Sequence, residues 1–337
     1  MDDGPYQNLM SQYHKIRRHN NQGAFKTRAR YDAAISGFCR FVASEFNLQK
    51  LTNVQGKHLE AYVRYMSEKG RSTSTIKTGL SAIRYMVDRM PGRDNKPALP
   101  SNEELVALRV VPKRVFTGID RAWTDEEYTY MVDKALQLDR PLVAYALGMG
   151  WSQGLRIHEV MQIDHDRATK ALQNGVLTVR GKGGLWRDVE VTDLGRQILT
   201  DALKLTPRGE RCFVEKPRVT HQQIESVQRF IRDHRKEIEI DKKTCETRDA
   251  AYLKSVAADG YQPHITFHGL RHAYARRLYY DCLQRGMKPF DARKYVAKRL
   301  GHGRDAVTRI YLGNVEFGSR FRHLADGFRT LRKPPEN

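Results

Sequence analysis

The spacing of apolar residues changes character along this chain. From Arg28 to Phe46, the residues Tyr31, Ile35, Phe38, Val42 and Phe46 recur at intervals of three and four. That spacing gathers them on one face of a helix, because a helical turn takes about 3.6 residues. His58 to Glu68 repeats the pattern through Leu59, Tyr62, Val63 and Met66. Ser72 or Thr73 can cap a third helix bearing Ile76, Leu80, Ile83, Met86 and Val87. Arg64, Lys69, Arg71, Lys77 and Arg84 fall between these stripes. The pattern predicts a basic, all-helical module that should stop at Met90, where PGRDNKPALP follows with three prolines and a glycine.

Beyond that point the periods are mixed. In RAWTDEEY, Thr124 followed by Asp125 to Glu127 is a helix-start signal. Pro141 to Gly150 is apolar throughout and predicts a buried helix. GVLTVRGKGGLWRDVEVT, residues 175–192, alternates at Leu177 and Val179 and again at Val189 and Val191, around a Gly-Lys-Gly-Gly centre. This is the pattern of a β-hairpin. Gln222 to Val256 is charged and helix-prone without a period that fixes its fold. Helical patterns return over Leu270–Leu283 and Phe290–Leu300, with Gly286 and Gly301 placed to end them. The expected fold is mainly α with a small β-sheet (α+β). Its expected domains are a helical unit over 1–112, a linker over 113–120 and a second unit over 121–337.

Charge narrows the partner. The formal net charge is +20 over 337 residues, and such an excess steers and holds polyanions, so nucleic acid is the expected ligand, with Arg64, Lys69, Arg71, Lys77 and Arg84 as the expected DNA-binding residues. Cys39, Cys212, Cys245 and Cys282 form no CxxC pair, which points away from a disulfide framework and a zinc site and fits a reducing compartment. No apolar run reaches the length of a membrane span, and MDDGPYQNLM lacks the basic-then-apolar order of a signal peptide. A cytoplasmic protein with no membrane partner is expected.

Four stretches then stand out: GLRIHE (Gly154–Glu159), RGKGG (Arg180–Gly184), HGLRH (His268–His272) and LGHGRDAVTRIY (Leu300–Tyr311). Each alone is weak. Arg156 could lie on the surface, Lys182 could be an ordinary hairpin tip, and Tyr311 could simply pack. His264, His268 and His272 are spaced by four, but HITFHG is a poor helix and no carboxylate or cysteine stands close by to complete a metal site. RGKGG lacks the glycine spacing and the following Ser or Thr of a phosphate-binding loop. Neither a metal nor a cofactor is expected.

Taken together and in order, the four stretches resemble the tyrosine recombinases, the phage integrase family. GLR-x-x-E, a glycine-bounded hairpin lysine, H-x-L-R-H and LGH followed nine residues later by Tyr are all present. The resemblance implies a helical core-binding domain followed by a catalytic domain, closing as a C-shaped clamp on duplex DNA. It implies Tyr311 as nucleophile, Arg156 and Arg271 as a phosphate clamp, and His302 as a further donor. His268 would be base or proton relay, Lys182 the general acid, and Glu159 the carboxylate that orients the site. The other tyrosines of this region fit less well: Tyr274 and Tyr279 lie on an apolar helical pattern, Tyr280 belongs to no motif, and Tyr295 sits on another helical face. His158 and Trp186 read as packing and His272 as a buried structural histidine.

Physical chemistry agrees with these roles. Paired guanidinium donors match the non-bridging oxygens of a phosphodiester, and a phenol with a pKa of about 10 needs help to lose its proton. The resemblance also implies a homo-tetramer on paired DNA sites, accessory DNA-bending or directionality proteins, and a C-terminal tail, through Phe321, Leu324 and Phe328, that packs on its own or a neighbouring subunit. The expected function is site-specific recombination through a covalent 3′-phosphotyrosine, integrating or excising a mobile element. The alternatives are Xer-like dimer resolution, type IB topoisomerase-like relaxation and a non-catalytic DNA-binding regulator.

Overall fold

The computed structural model describes residues 4–18, 25–92, 97–107, 110–111, 121–181, 184–239, 265–301, 308 and 311–312. The expected linker, Lys182, His264, His302 and the tail after Leu312 lie outside the described residues. The chain divides into two units, Met1–Val115 and Phe116–Asn337.

In the first unit, α1 (Gly4–Arg18), α2 (Phe25–Phe46), α3 (Gly56–Glu68), α4 (Thr73–Val87) and the short α5 (Asn102–Ala107) surround one apolar core. The three periodic stripes supply it: Ile35, Phe38 and Val42 meet Leu59, Tyr62 and Val63, and Ile76, Leu80 and Ile83. Ser72 caps α4, its hydroxyl accepting the Thr75 N–H at 3.3 Å. Two expectations change. Phe46 ends α2 with 39% of its surface exposed, edge-to-face with the His58 ring, because the chain leaves the helix there. The N-terminal residues, for which the pattern predicts no element, form α1, which buries Leu9 and Tyr13 and packs on α2.

The second unit is built around α7 (Pro141–Gln153), a helix apolar on every side because α6 (Asp125–Gln137), α10 (Asp193–Leu205) and α12 (Phe267–Gln284) all pack on it. Thr124 and Glu127 form a capping box at the start of α6. Short helices α8 (Ile157–Val160) and α9 (His165–Asn174) lead into β1 (Val176–Arg180), which pairs antiparallel with β2 (Trp186–Glu190). Leu177 faces Val189 and Val179 faces Arg187 across the ribbon. The charged stretch forms helix α11 (Thr220–Glu239) as far as it is described, and it packs on α6. A separate apolar cluster joins α12 and α13 (Pro289–Leu300) to Tyr311 and Leu312. No described helix is long and apolar enough to cross a membrane.

Candidate active site

The first motif is shaped by a helix end. Gly154 ends α7 with φ of +62°, and a Cβ there would lie 2.3 Å from the Tyr274 ring, so both backbone and packing require glycine. Arg156 then caps α8, and Glu159 reaches back to it. Glu159 accepts the Arg156 backbone N–H at 2.8 Å through one oxygen and Nη1 of the same arginine at 2.8 Å through the other. Arg187, from β2, grips both oxygens of this carboxylate at 2.8 and 3.0 Å. Arg271 Nη1 stands 3.9 Å away. Glu159 is thus a buried carboxylate among three guanidiniums. Burial alone would raise its pKa, but the Arg187 bonds and charge, the Arg156 N–H and the Arg271 charge outweigh it and hold the group at about 2.

Arg271, on the second turn of α12, donates to the carbonyls of Gly154 at 2.6 Å and of Leu300, tying the first motif to the end of α13. It is fully buried, and burial followed by the Arg156 charge lowers its pKa to about 10, so it stays cationic at neutral pH. The Arg156 side chain keeps 21% of its surface open to solvent.

One turn of α12 presents His268 and the next His272 to Tyr311. The Tyr311 hydroxyl is 3.0 Å from His268 Nε2. The His272 ring stacks on the phenol ring at 4.3 Å and 18°, with a hydrogen bond to the Tyr311 backbone, and the Arg271 guanidinium lies 5.7 Å from the ring centre. His272 is buried, as expected. Crowding of the His268 ring, then the charges of Arg271, Arg156 and Arg121, push its pKa down to about 4. Part of His268 remains exposed, which lessens the size of this shift without changing its sign. A neutral imidazole at hydrogen-bond distance can take the phenol proton, while the Arg156 guanidinium, which is partly open to solvent, can bind an oxyanion with the Arg271 charge behind it.

Arg156, Glu159, His268, Arg271 and Tyr311 thus converge, and Lys182 and His302 are outside the described residues. Sequence reasoning passed over Arg187. The signal was there in the parity of β2: Arg187 shares its face with Val189 and Val191, so a charge on that face had to find a buried partner. Trp186 is a correction in the other direction. Read as packing, it is 54% exposed, beside a 75% exposed Leu185, with Arg167 and Arg180 near its ring. His158 is half-buried.

In the first unit Arg64, Lys69 and Arg71 are exposed and Lys77 half-buried. Arg84 differs: its guanidinium donates to the Pro100 carbonyl at 2.6 Å and to Asn102 Oδ1 at 2.5 Å, holding the entry to α5 instead of facing out.

The profile of the phage integrase family matches residues 129–316, and that of the phage integrase N-terminal domain matches residues 6–97. Tyrosine recombinase XerS of Streptococcus gordonii is 25% identical over 308 residues, covering 80% of this chain and 78% of its own. The fold is similar to that of the Tn1549 transposon integrase solved with transposon right-end DNA (TM-score 0.57, 15% identity, 91% of this chain and 94% of that one). It is also similar to lambda integrase solved as a tetramer bound to a Holliday junction (TM-score 0.56, 16% identity, 90% and 76%).

Proposed function

The chain belongs to the phage integrase family, and from that premise we propose that it is a site-specific recombinase that cleaves and rejoins duplex DNA through Tyr311. The observation that carries the reading is the 3.0 Å contact between the Tyr311 hydroxyl and His268 Nε2, with Arg271 close to the same ring.

Arg156 and Arg271 hold the non-bridging oxygens of the scissile phosphate, where negative charge grows in the transition state. Tyr311 Oη attacks phosphorus as its proton passes to His268. The bond to the 5′-oxygen breaks, and that oxygen takes its proton from Lys182. The product is a 3′-phosphotyrosine and a free 5′-hydroxyl. Attack on the phosphotyrosine by the 5′-hydroxyl of a second duplex reverses each step, so joining needs no nucleotide hydrolysis. Glu159 holds Arg156 in place. Arg64, Lys69, Arg71 and Lys77 bind the DNA backbone. A homo-tetramer on paired sites, acting in the cytoplasm, is the working assembly, and integration or excision of a mobile element is the expected outcome. The likeness to XerS favours a second reading, Xer-like dimer resolution.

A nicked suicide duplex, whose leaving strand diffuses away, tests the chemistry. The expected result is a covalent adduct with the wild type, mapped to the Tyr311 peptide, and none with Tyr311→Phe. Tight binding without an adduct from the wild type would make the protein a DNA-binding regulator instead. Recombination assays on two sites in head-to-tail plasmid dimers, against a linear donor and a circular element, separate the two biological readings.

A further inference from the structure

Arg187 belongs to none of the four motifs, yet it touches three of them. Its guanidinium chelates Glu159 of the first motif. Its stem runs beside Gly301 of the last, where an added Cβ would fall 2.7 Å from Arg187 Cδ. Its own strand forms one side of the hairpin whose turn contains Lys182 in the sequence.

The position within the ribbon matters. The hairpin is a two-stranded sheet, which is marginal by itself, so its aim depends on what anchors its inner face. Leu177, Val179 and Val189 bury that face. Arg187 pairs with Val179 and is the inward residue of β2 nearest the turn, with Trp186 beyond it facing out. Gly181 abuts the same centre: a Cβ there would meet Glu159 Oε1 at 3.5 Å and Arg187 Nη1 at 3.7 Å. The turn end of the hairpin is therefore fastened to the carboxylate that also holds Arg156. A bidentate guanidinium fixes distance and plane together, which an apolar contact or a single point charge does not.

We infer that Arg187 is a positioning residue: through Glu159 it fixes the hairpin at Gly181, the residue before Lys182 in the sequence, relative to Arg156, and delivery of the leaving-group proton depends on that fixing. This rests on the recombinase reading above and on the role given there to Lys182.

The test compares suicide duplexes whose leaving atom is the natural 5′-oxygen or a 5′-bridging sulfur. A thiolate leaves without protonation, so a defect in acid delivery disappears on sulfur. Single-turnover cleavage is measured for wild type, Lys182→Ala, Arg187→Met and Arg187→Lys, with DNA affinity measured alongside. Misplacing a catalytic group by about 1 Å can slow a reaction about 10²-fold, and a loss of that order is expected for Arg187→Met on oxygen. Sulfur should restore most of it, as it should for Lys182→Ala, with affinity unchanged. Should Arg187→Met not fold, Arg187→Lys, which keeps the charge and loses the chelate, is read by the same oxygen-to-sulfur ratio.

Equal losses on both substrates would overturn the inference and leave Arg187 as support for the clamp alone. Full activity of the Arg187 variants on oxygen would overturn it as well. If Lys182→Ala is restored by sulfur and Arg187→Met is not, the inference fails while the recombinase reading stands. A wild type that forms no adduct with either duplex sinks that reading itself, and Lys182→Ala unrestored by sulfur removes the acid on which the inference depends.

Discussion

Arginine does opposite jobs in the two units. In the N-terminal unit, Arg64 and Arg71 stand in water around a core made of apolar and aromatic rings. In the second, Arg156, Arg187 and Arg271 turn inward onto one carboxylate. An exposed cation keeps its hydration and attracts phosphate over a distance set by salt. A buried one must be neutralised locally, and in return it holds a fixed geometry in a medium where each charge acts more strongly. The first arrangement suits grip on any DNA backbone; the second suits one phosphate in one orientation.

Removing the shared carboxylate strains this contrast most. Glu159→Gln leaves three guanidiniums without their anion, and breaking a buried pair in this way costs about 3–5 kcal/mol. Arg71→Ala, an exposed change, should stay within about 0.5 kcal/mol. Urea unfolding followed by circular dichroism, to which the helices of both units contribute, reads the two variants on one scale. Similar shifts for the two variants would erase the distinction between the units.

Acid should act unequally too. His268, at about 4, and His272, well below its ordinary value, are depressed chiefly by burial. Folded, they resist protons that the unfolded chain takes up from about pH 6.5 downward. The stability present above that pH is therefore lost as pH falls toward 4. Glu159, held at about 2, extends the loss through the range from about 4.5 to 2. In the first unit burial depresses one described histidine, His58. The Tm read by tryptophan fluorescence, which reports the second unit because Trp123, Trp151 and Trp186 all lie there, should fall as pH drops below about 6.5, and His268→Gln should flatten part of the slope. A flat Tm between pH 6.5 and 4.5 would contradict the assignment of neutral imidazoles to His268 and His272.

The smallest effect sharpens the comparison within the first unit. Each phosphate contact adds about 0.9 to the slope of log affinity against log salt on B-DNA. Arg64→Ala or Arg71→Ala should reduce that slope by about this amount. Arg84→Ala should leave it unchanged and instead destabilise the fold by about 1.5–3 kcal/mol, since its charged hydrogen bonds go to Pro100 and Asn102. Filter binding across a salt series separates the two classes.

The helices of the first unit were legible because their information is local: Ile76, Leu80 and Ile83 reveal a face by spacing alone, and Ser72 marks the start. The hairpin was legible for the same reason, through alternation about a glycine-rich turn. α1 buries Leu9 and Tyr13 at helical spacing, but two apolar positions in a polar stretch are too few to define a face without the α2 surface they meet. Arg84 could not be separated from Arg64 by sequence, since both fall between apolar stripes and only the returning Pro100–Asn102 segment captures one of them.

The site divides along the same line. Sequence by itself picked out the candidate side chains, because they sit at fixed positions in short motifs: Arg156 caps α8 and Glu159 lies within it, and His268 and Arg271 lie on α12. Only the tertiary structure decided that Tyr311 meets a histidine 43 residues before it, and that a strand arginine 28 residues beyond Glu159 locks that carboxylate. Such contacts depend on how α7, α12, α13 and the ribbon pack against one another. Packing is a property of all their faces at once, and no short stretch of sequence contains it.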